Sequence, residues 1–275
     1  MSSEKSNIVF LCVRACGWAQ PGPCRPGRHC VYECRVGYTR TSAGYTTEEC
    51  PPVQGQCDDV YHFETSRHGL FCNAQGNLVL PPNQPLCQRV PSYVTIESRL
   101  SARVTGCPTV YPGSEDINAV AYTVNPRQTL ELTLFPANYW YGVSRHYYVG
   151  NAGMTARETC QWDALPRTAY IWGGHLENRD GQVWQAANFD FSENFRASSG
   201  SPGYSMVVHQ CPTGGTCWKY CEIKRRVVGN QVEDYAAVFR QDGSIVKEFS
   251  TPTSECYIYG PVTQTRTRVD LVPYT

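Results

Sequence analysis

The run YCEIKRRVV (residues 220–228), GN (Gly229-Asn230), QVEDYAAVFR (residues 231–240), Gln241, DG (Asp242-Gly243) and SIVKEFS (residues 244–250) decides the fold. Three segments carrying β-branched and aromatic residues are punctuated by two dipeptides whose residues accept positive φ, so both junctions read as hairpins. Together with residues 264–271 they make an antiparallel meander. Just beyond, Gln264, Arg266, Arg268 and Asp270 alternate with Thr265, Thr267, Val269 and Leu271, which predicts a strand with one wet and one dry face. Upstream, residues 129–135 place Leu130, Leu132 and Leu134 on one side, residues 118–124 are strand-like, and Asp180-Gly181 punctuates a further hairpin before Val183-Trp184. No segment carries a long apolar stripe at helical spacing. Residues 92–275 therefore read as an all-β antiparallel sandwich or barrel.

The first third has a different texture. Of fifteen cysteines in 275 residues, nine precede residue 88: Cys12, Cys16, Cys24, Cys30, Cys34, Cys50, Cys57, Cys72 and Cys87. Such density is useful where thiols oxidise and close loops, so the chain reads as secreted or extracellular. Pro21, Pro23, Pro26, Pro51, Pro52, Pro81, Pro82 and Pro85 block long regular elements. Residues 20–91 are expected to form a small disulfide module, with a boundary near Val90-Pro91. Residues 1–19 read as a degenerate signal segment: Lys5 precedes the short apolar run of residues 8–13, Gly17-Trp18-Ala19 offers small residues before Gln20, and Arg14 interrupts the run. The cysteine count is odd, so at least one thiol is free or available to another chain through an intermolecular disulfide.

Composition excludes several partners. Lys plus Arg equals Asp plus Glu, 24 each, so nothing in the charge balance argues for nucleic acid or an anionic membrane surface. The one compact basic run, Lys224-Arg225-Arg226, reads as a solvated strand face, because three charges neutralise too few phosphates to hold a polyanion. No stretch approaches the about 18 apolar residues of a membrane span. Eighteen Tyr against three Met suits a β protein whose rings cover pleated surface.

Within the first module, Val31-Tyr32-Glu33-Cys34-Arg35-Val36-Gly37-Tyr38 together with Cys72-Asn73-Ala74-Gln75-Gly76 and Pro85-Leu86-Cys87 resembles a sushi (complement control) module over residues 31–87. Asn77 stands where that family carries Trp, and Cys50 and Cys57 fall in an insertion. The resemblance implies a small β module used for protein contact, with Cys34 bonded to Cys87.

Metal chemistry has little support. Cys12/Cys16, Cys30/Cys34 and Cys217/Cys221 are separated by three residues, no Cys-x-x-Cys or His-Glu-x-x-His occurs, and Cys34, Cys87, Cys217 and Cys221 are expected in disulfides. No metal or other cofactor is expected. His62 and His68 flank Glu64, where polar surface is the default reading. Gly203-Tyr204-Ser205-Met206-Val207 is one glycine short of a hydrolase elbow and lacks the strand-to-helix setting that elbow needs. Asp163, Glu177, Asp180, Asp190 and Glu193 supply carboxylates for a glycosidase pair, but such a pair needs a fixed separation that spacing alone does not give.

The densest aromatic stretch is residues 138–148. Tyr139, Trp140, Tyr141, Tyr147 and Tyr148 lie there with Arg145 and His146, and could line a concavity for a flat organic molecule or a sugar. Trp172, His175 and Trp184 could form the opposite wall. Three readings follow. The first is a secreted, disulfide-stabilised β protein that binds a small aromatic or carbohydrate ligand or an extracellular protein. The second is a metal-independent oxidoreductase, a luciferase-type monooxygenase, with His146, His175 and Arg145 as proton-transfer and anion-stabilising groups. The third is an extracellular assembly protein cross-linked through its odd cysteine. No Asn-x-Ser/Thr sequon is present.

Overall fold

The computed structural model describes residues 91–111, 121–134, 144–160, 168–192, 201–228, 231–249 and 256–274, with Phe195 and short pieces of the first ninety residues. Those pieces form β1 (Ile8–Val9), β2 (His29–Cys30), β3 (Glu33–Cys34), β4 (Tyr38–Arg40), β5 (Leu70–Phe71) and β6 (Cys87–Arg89), paired antiparallel as β1–β3, β2–β5 and β4–β6. A disulfide joins Cys34 to Cys87. Thr133 Oγ1 donates to the Tyr38 carbonyl at 3.2 Å, which ties β4 to the larger β body. Apart from a few further residues, Gly37, Asn73–Gln75, Asn77, Val79 and Pro85-Leu86, the rest of the signal segment and of the cysteine-rich stretch, including His62, Glu64 and His68, lies outside the described residues.

Thirteen further strands build two sheets. They are β7 (Val94–Ser98), β8 (Val104–Tyr111), β9 (Tyr122–Val124), β10 (Thr129–Leu132), β11 (Ser144–Gly150), β12 (Thr168–Arg179), β13 (Gln182–Phe191), β14 (Ser205–Pro212), β15 (Trp218–Val228), β16 (Gln231–Phe239), β17 (Ile245–Phe249), β18 (Cys256–Pro261) and β19 (Thr265–Val272). Seven strands run in the order β10-β7-β19-β14-β15-β16-β17, antiparallel except where β19 lies parallel to β7. Six run β18-β13-β12-β11-β8-β9, all antiparallel. Of the expected C-terminal meander, β15, β16 and β17 are consecutive in the larger sheet, but β19 does not continue it: it lies on the other side of β14, paired with β14 and β7. Asp180 and Gly181 turn the β12–β13 hairpin with φ of 51° and 74°, the pair of left-handed residues a tight two-residue turn demands. The single described helix is one turn, Ala156–Thr159, closed by a Thr155/Glu158 capping box.

The sheets bury one continuous core. Period-2 alternation sends Val94, Ile96, Val208, Ile223, Val269 and Leu271 inward from one sheet and Val104, Val149, Tyr170, Phe189 and Ile258 from the other. Tyr147 and Trp172 sit between them, stacked 4.3 Å apart, with Phe189 5.7 Å beyond Trp172. The Tyr147 hydroxyl donates to Thr133 O at 2.6 Å, and the hydroxyl of the buried Tyr204 donates to Gly150 O at 2.7 Å. Cys221 of β15 is bonded to Cys256 of β18, so a buried disulfide crosses from sheet to sheet. Cys107–Cys160 fastens β8 to the helical turn, and Cys211–Cys217 closes the β14–β15 connection. Cys217 and Cys221 are thus both paired, each with a different partner.

Two local expectations change. Arg225 is not on a solvated face: it is buried, its Nε 2.7 Å from Asp234 Oδ1 and its guanidinium 4.3 Å from the Phe195 ring, because a single arginine at this strand position faces inward beside Ile223. Asp270, on the expected wet face of β19, has a side chain only 2% exposed. Arg99 Nη2 at 2.8 Å, Arg268 Nε at 2.9 Å and His209 Nε2 at 3.1 Å cover it.

Candidate functional site

The outward face of the six-stranded sheet carries the richest chemistry. Strand register builds it row by row: Glu177 lies opposite Trp184, His175 opposite Ala186, which in turn faces Tyr259, and Gly173 opposite Asn188, which faces Tyr257. Directly paired residues point to the same side of a sheet, so these side chains share one surface. It is the side away from Trp172, Leu176 and Phe189, which point into the core. Small residues at Gly173 and Ala186 keep the middle low between His175 and the two tyrosines.

The groups are linked. The Tyr259 hydroxyl donates a short hydrogen bond to Glu177 Oε1. Arg179 Nη1 donates to the same phenol oxygen at 3.0 Å, and the guanidinium stands 5.3 Å from the Trp184 ring centre and 6.0 Å from that of Tyr259. Trp184 and Tyr259 lie 5.0 Å apart and Tyr259 and Tyr257 6.0 Å apart, so three rings form a continuous row. Tyr257 is 43% exposed, so this end of the row is open to solvent. His175 Nε2 is 4.0 Å from Glu177 Oε2. Burial pushes the His175 pKa below its usual value, while the Glu177 charge pulls the other way. Burial likewise raises the Tyr257 phenol, helped by Glu177 and Tyr259. For Arg179, the hydrogen bond to Tyr259 raises an already high pKa, so it is a permanent cation.

Of the residues singled out from sequence, His175, Glu177 and Trp184 are brought together here. Tyr148 is half-buried on β11, paired with Ile171 and Cys107, one same-face row beyond that of Gly173, Asn188 and Tyr257. Tyr147 and Trp172 do not form an open wall: they are 0% and 1% exposed, because alternation on β11 and β12 turns them into the core. Arg145 and His146 are described in backbone only, opposite Gly174 and Gly173. Tyr139, Trp140, Tyr141, Trp162, Asp163 and Glu193 lie outside the described residues. Ser205 is buried, and no serine nucleophile elbow forms around it. Among the described residues no cluster of His, Cys, Asp and Glu could hold a metal ion. Sequence reasoning passed over Arg179, Tyr257 and Tyr259. The signal for the tyrosines was present, since Tyr257 and Tyr259 alternate with the buried Cys256 and Ile258.

Comparison with known proteins decides the family. The family model described as "Beta-glucosidase (SUN family)" matches residues 5–239. The chain belongs to the SUN family. A probable secreted β-glucosidase, adg3, of Schizosaccharomyces pombe is 26% identical over 214 residues, 73% of this chain and 17% of its own length. The probable secreted β-glucosidase PSU1 of the same yeast is 31% identical over 147 residues, 50% of this chain and 31% of its own length. The secreted β-glucosidase SUN41 of Candida albicans is 28% identical over 148 residues, 51% of this chain and 32% of its own. The chain therefore spans less than half the length of these relatives. No solved structure matches it.

SUN membership corrects the sushi resemblance, because the match runs straight through residues 31–87. The Cys34–Cys87 bridge is real, but pairing of two cysteines is a property many small β modules share. The oxidoreductase reading, luciferase-type chemistry included, is set aside for the same reason: the family is described as glucosidase. The relatives are named as secreted, in keeping with the disulfides, and the chain is a secreted, disulfide-rich β protein. No described helix is long and apolar enough to cross a membrane.

Proposed function

We propose that this SUN-family chain acts on β-linked glucosides, holding the sugar on the outward face of the six-stranded sheet with Glu177 as the reacting carboxylate. The observation that carries the reading is the coincidence of an open aromatic row, Trp184, Tyr259 and Tyr257, with a carboxylate hydrogen-bonded at its centre. Pyranose rings present apolar C–H faces that lie on aromatic rings, and hydroxyls that bond to polar tips. A neutral ligand needs no charged steering, consistent with a chain of net charge zero. The glucosidase names of the relatives supply the substrate class and the reaction.

The test is hydrolysis of an aryl β-glucoside and of β-linked glucose oligosaccharides by the purified full chain, with product read by chromatography. Turnover is expected in the wild type. Glu177→Gln should lower kcat by about 10²–10³-fold with sugar binding retained, since an electrostatic group at the reacting centre is commonly worth that much. Trp184→Ala should chiefly raise KM. Wild-type turnover untouched by Glu177→Gln, or no turnover at all, overturns the reading.

A further inference from the structure

Hydrolysis of a glycoside needs two groups flanking the bond, about 5–10 Å apart when both are carboxylates. Glu177 has no such carboxylate partner among the described residues of its face. Asp190 shares that face but stands opposite Ile171, six residues along β13 from the position opposite Glu177, about 20 Å away at the rise of a strand. Asp180 is in the hairpin turn, 92% exposed and 3.9 Å from Arg179 Nε, with nothing to fix it over a sugar. What does stand against Glu177 is a phenol.

We infer that Tyr259 is the nucleophile of this site, with Glu177 as its base and Arg179 as the donor that stabilises the phenolate; the inference rests on the glucoside reading above. An oxygen nucleophile of this kind needs an acceptor for its proton and a cation for its developing charge. Tyr259 has both on one oxygen: it donates to Glu177 Oε1 and accepts from Arg179 Nη1 at 3.0 Å. Its ring is braced by Trp184 on one side and Tyr257 on the other, which limits rotation of the phenol out of line. Tyrosine nucleophiles occur elsewhere in glycoside hydrolysis, so the chemistry is within reach of the side chain.

In the first step the Tyr259 oxygen bonds to the anomeric carbon as the glycosidic C–O bond breaks. The phenol proton passes to Glu177, which hands a proton from its carboxyl to the leaving oxygen. In the second step water attacks the anomeric carbon and gives its proton to the Glu177 carboxylate. The Tyr259–carbon bond breaks, and the phenolate recovers its proton from Glu177. Two displacements at one carbon return the sugar in its original β configuration. Tyr259 and Tyr257 lie beyond residue 239, where the family match ends, so this part of the site is read from this chain's own strand β18.

The experiment is trapping with 2-deoxy-2-fluoro-β-glucosyl fluoride, whose fluorine slows the second step, followed by intact mass and peptide mapping of the full chain. The expected result is one added fluoroglucosyl group on Tyr259, β-configured product in ordinary turnover, and loss of labelling and turnover in Tyr259→Phe while that variant still binds glucoside. Ordinary hydrolysis with the label on Glu177 or another carboxylate overturns the inference and leaves the glucoside reading standing. Hydrolysis with inverted product and no label does the same. Absence of both hydrolysis and label in the wild type overturns both readings.

Discussion

Asp270 is a carboxylate that strand alternation alone would place in water and that the structure hides under Arg99, Arg268 and His209. Burial raises its pKa, yet the His209 hydrogen bond and the charges of His209, Arg268 and Arg99 outweigh that and hold it below the ordinary 3.8. A carboxyl with a depressed folded pKa stabilises the fold at every pH above its unfolded value, and that contribution disappears as pH falls through the folded pKa. Glu222 behaves alike: burial pushes it up, but Lys224 and Lys219 bring it below 4.5. Acid unfolding monitored by circular dichroism should therefore steepen below about pH 4, and Asp270→Asn should flatten that limb while costing about 2 kcal/mol at neutral pH. His175 has the complementary behaviour. With a folded pKa below the ordinary 6.5, its neutral form is favoured in the fold, so stability is full above that pH and declines as acid protonates it. His175→Gln should remove this part of the pH dependence, read as melting temperature between pH 7 and pH 5.

At the scale of the element, β12 and β13 carry the site, and their closeness is set by a glycine. A Cβ built on Gly174 would lie 2.0 Å from the Ala186 carbonyl oxygen, a contact that only movement of the strand pair could relieve. Gly174→Ala should therefore destabilise by about 1–3 kcal/mol. It should also raise KM for glucoside, because Ala186 and His175 are carried on the strands that must part; a denaturation curve and a Michaelis plot together check both. The same elements show what a sequence discloses. β15, β16, β17 and the β12–β13 hairpin were legible because alternation and turn dipeptides are local properties of consecutive residues. The row of Trp184, Tyr259 and Tyr257 was not, because β18 reaches β13 only by pairing across more than seventy residues, Trp184 against Pro261 and Ala186 against Tyr259. His175 and Trp184 were noticed as aromatic-region residues, but their link to Glu177 and Arg179 exists only in the register. Tyr147 and Trp172 were misread for the converse reason: composition shows a ring, and only the pleat tells which way it points.

At the scale of the molecule, the two sheets belong to separate runs of pairing, and the site on one depends on the other for its edge. Among the described residues β18 is the last strand of the six-stranded sheet and pairs as a strand with β13 alone, yet it brings Tyr257 and Tyr259. Two attachments hold it from the opposite sheet: the Cys221–Cys256 disulfide and the hydrogen bond from the Tyr220 hydroxyl to the Tyr257 carbonyl at 2.9 Å. The bridge closes a loop of sequence separation 35, for which loss of a disulfide costs about 2–4 kcal/mol. Paired substitution of Cys221 and Cys256 by Ala should lower stability by that amount and, because β18 is an edge strand, loosen the tyrosines before the core. Hydrogen exchange should then show faster opening across β18 than across β12, and glucoside affinity should fall further than the melting temperature alone accounts for. Equal exchange in the two strands would mean that β13 pairing by itself positions Tyr259, and that the sheet-to-sheet bridge serves the core rather than the site.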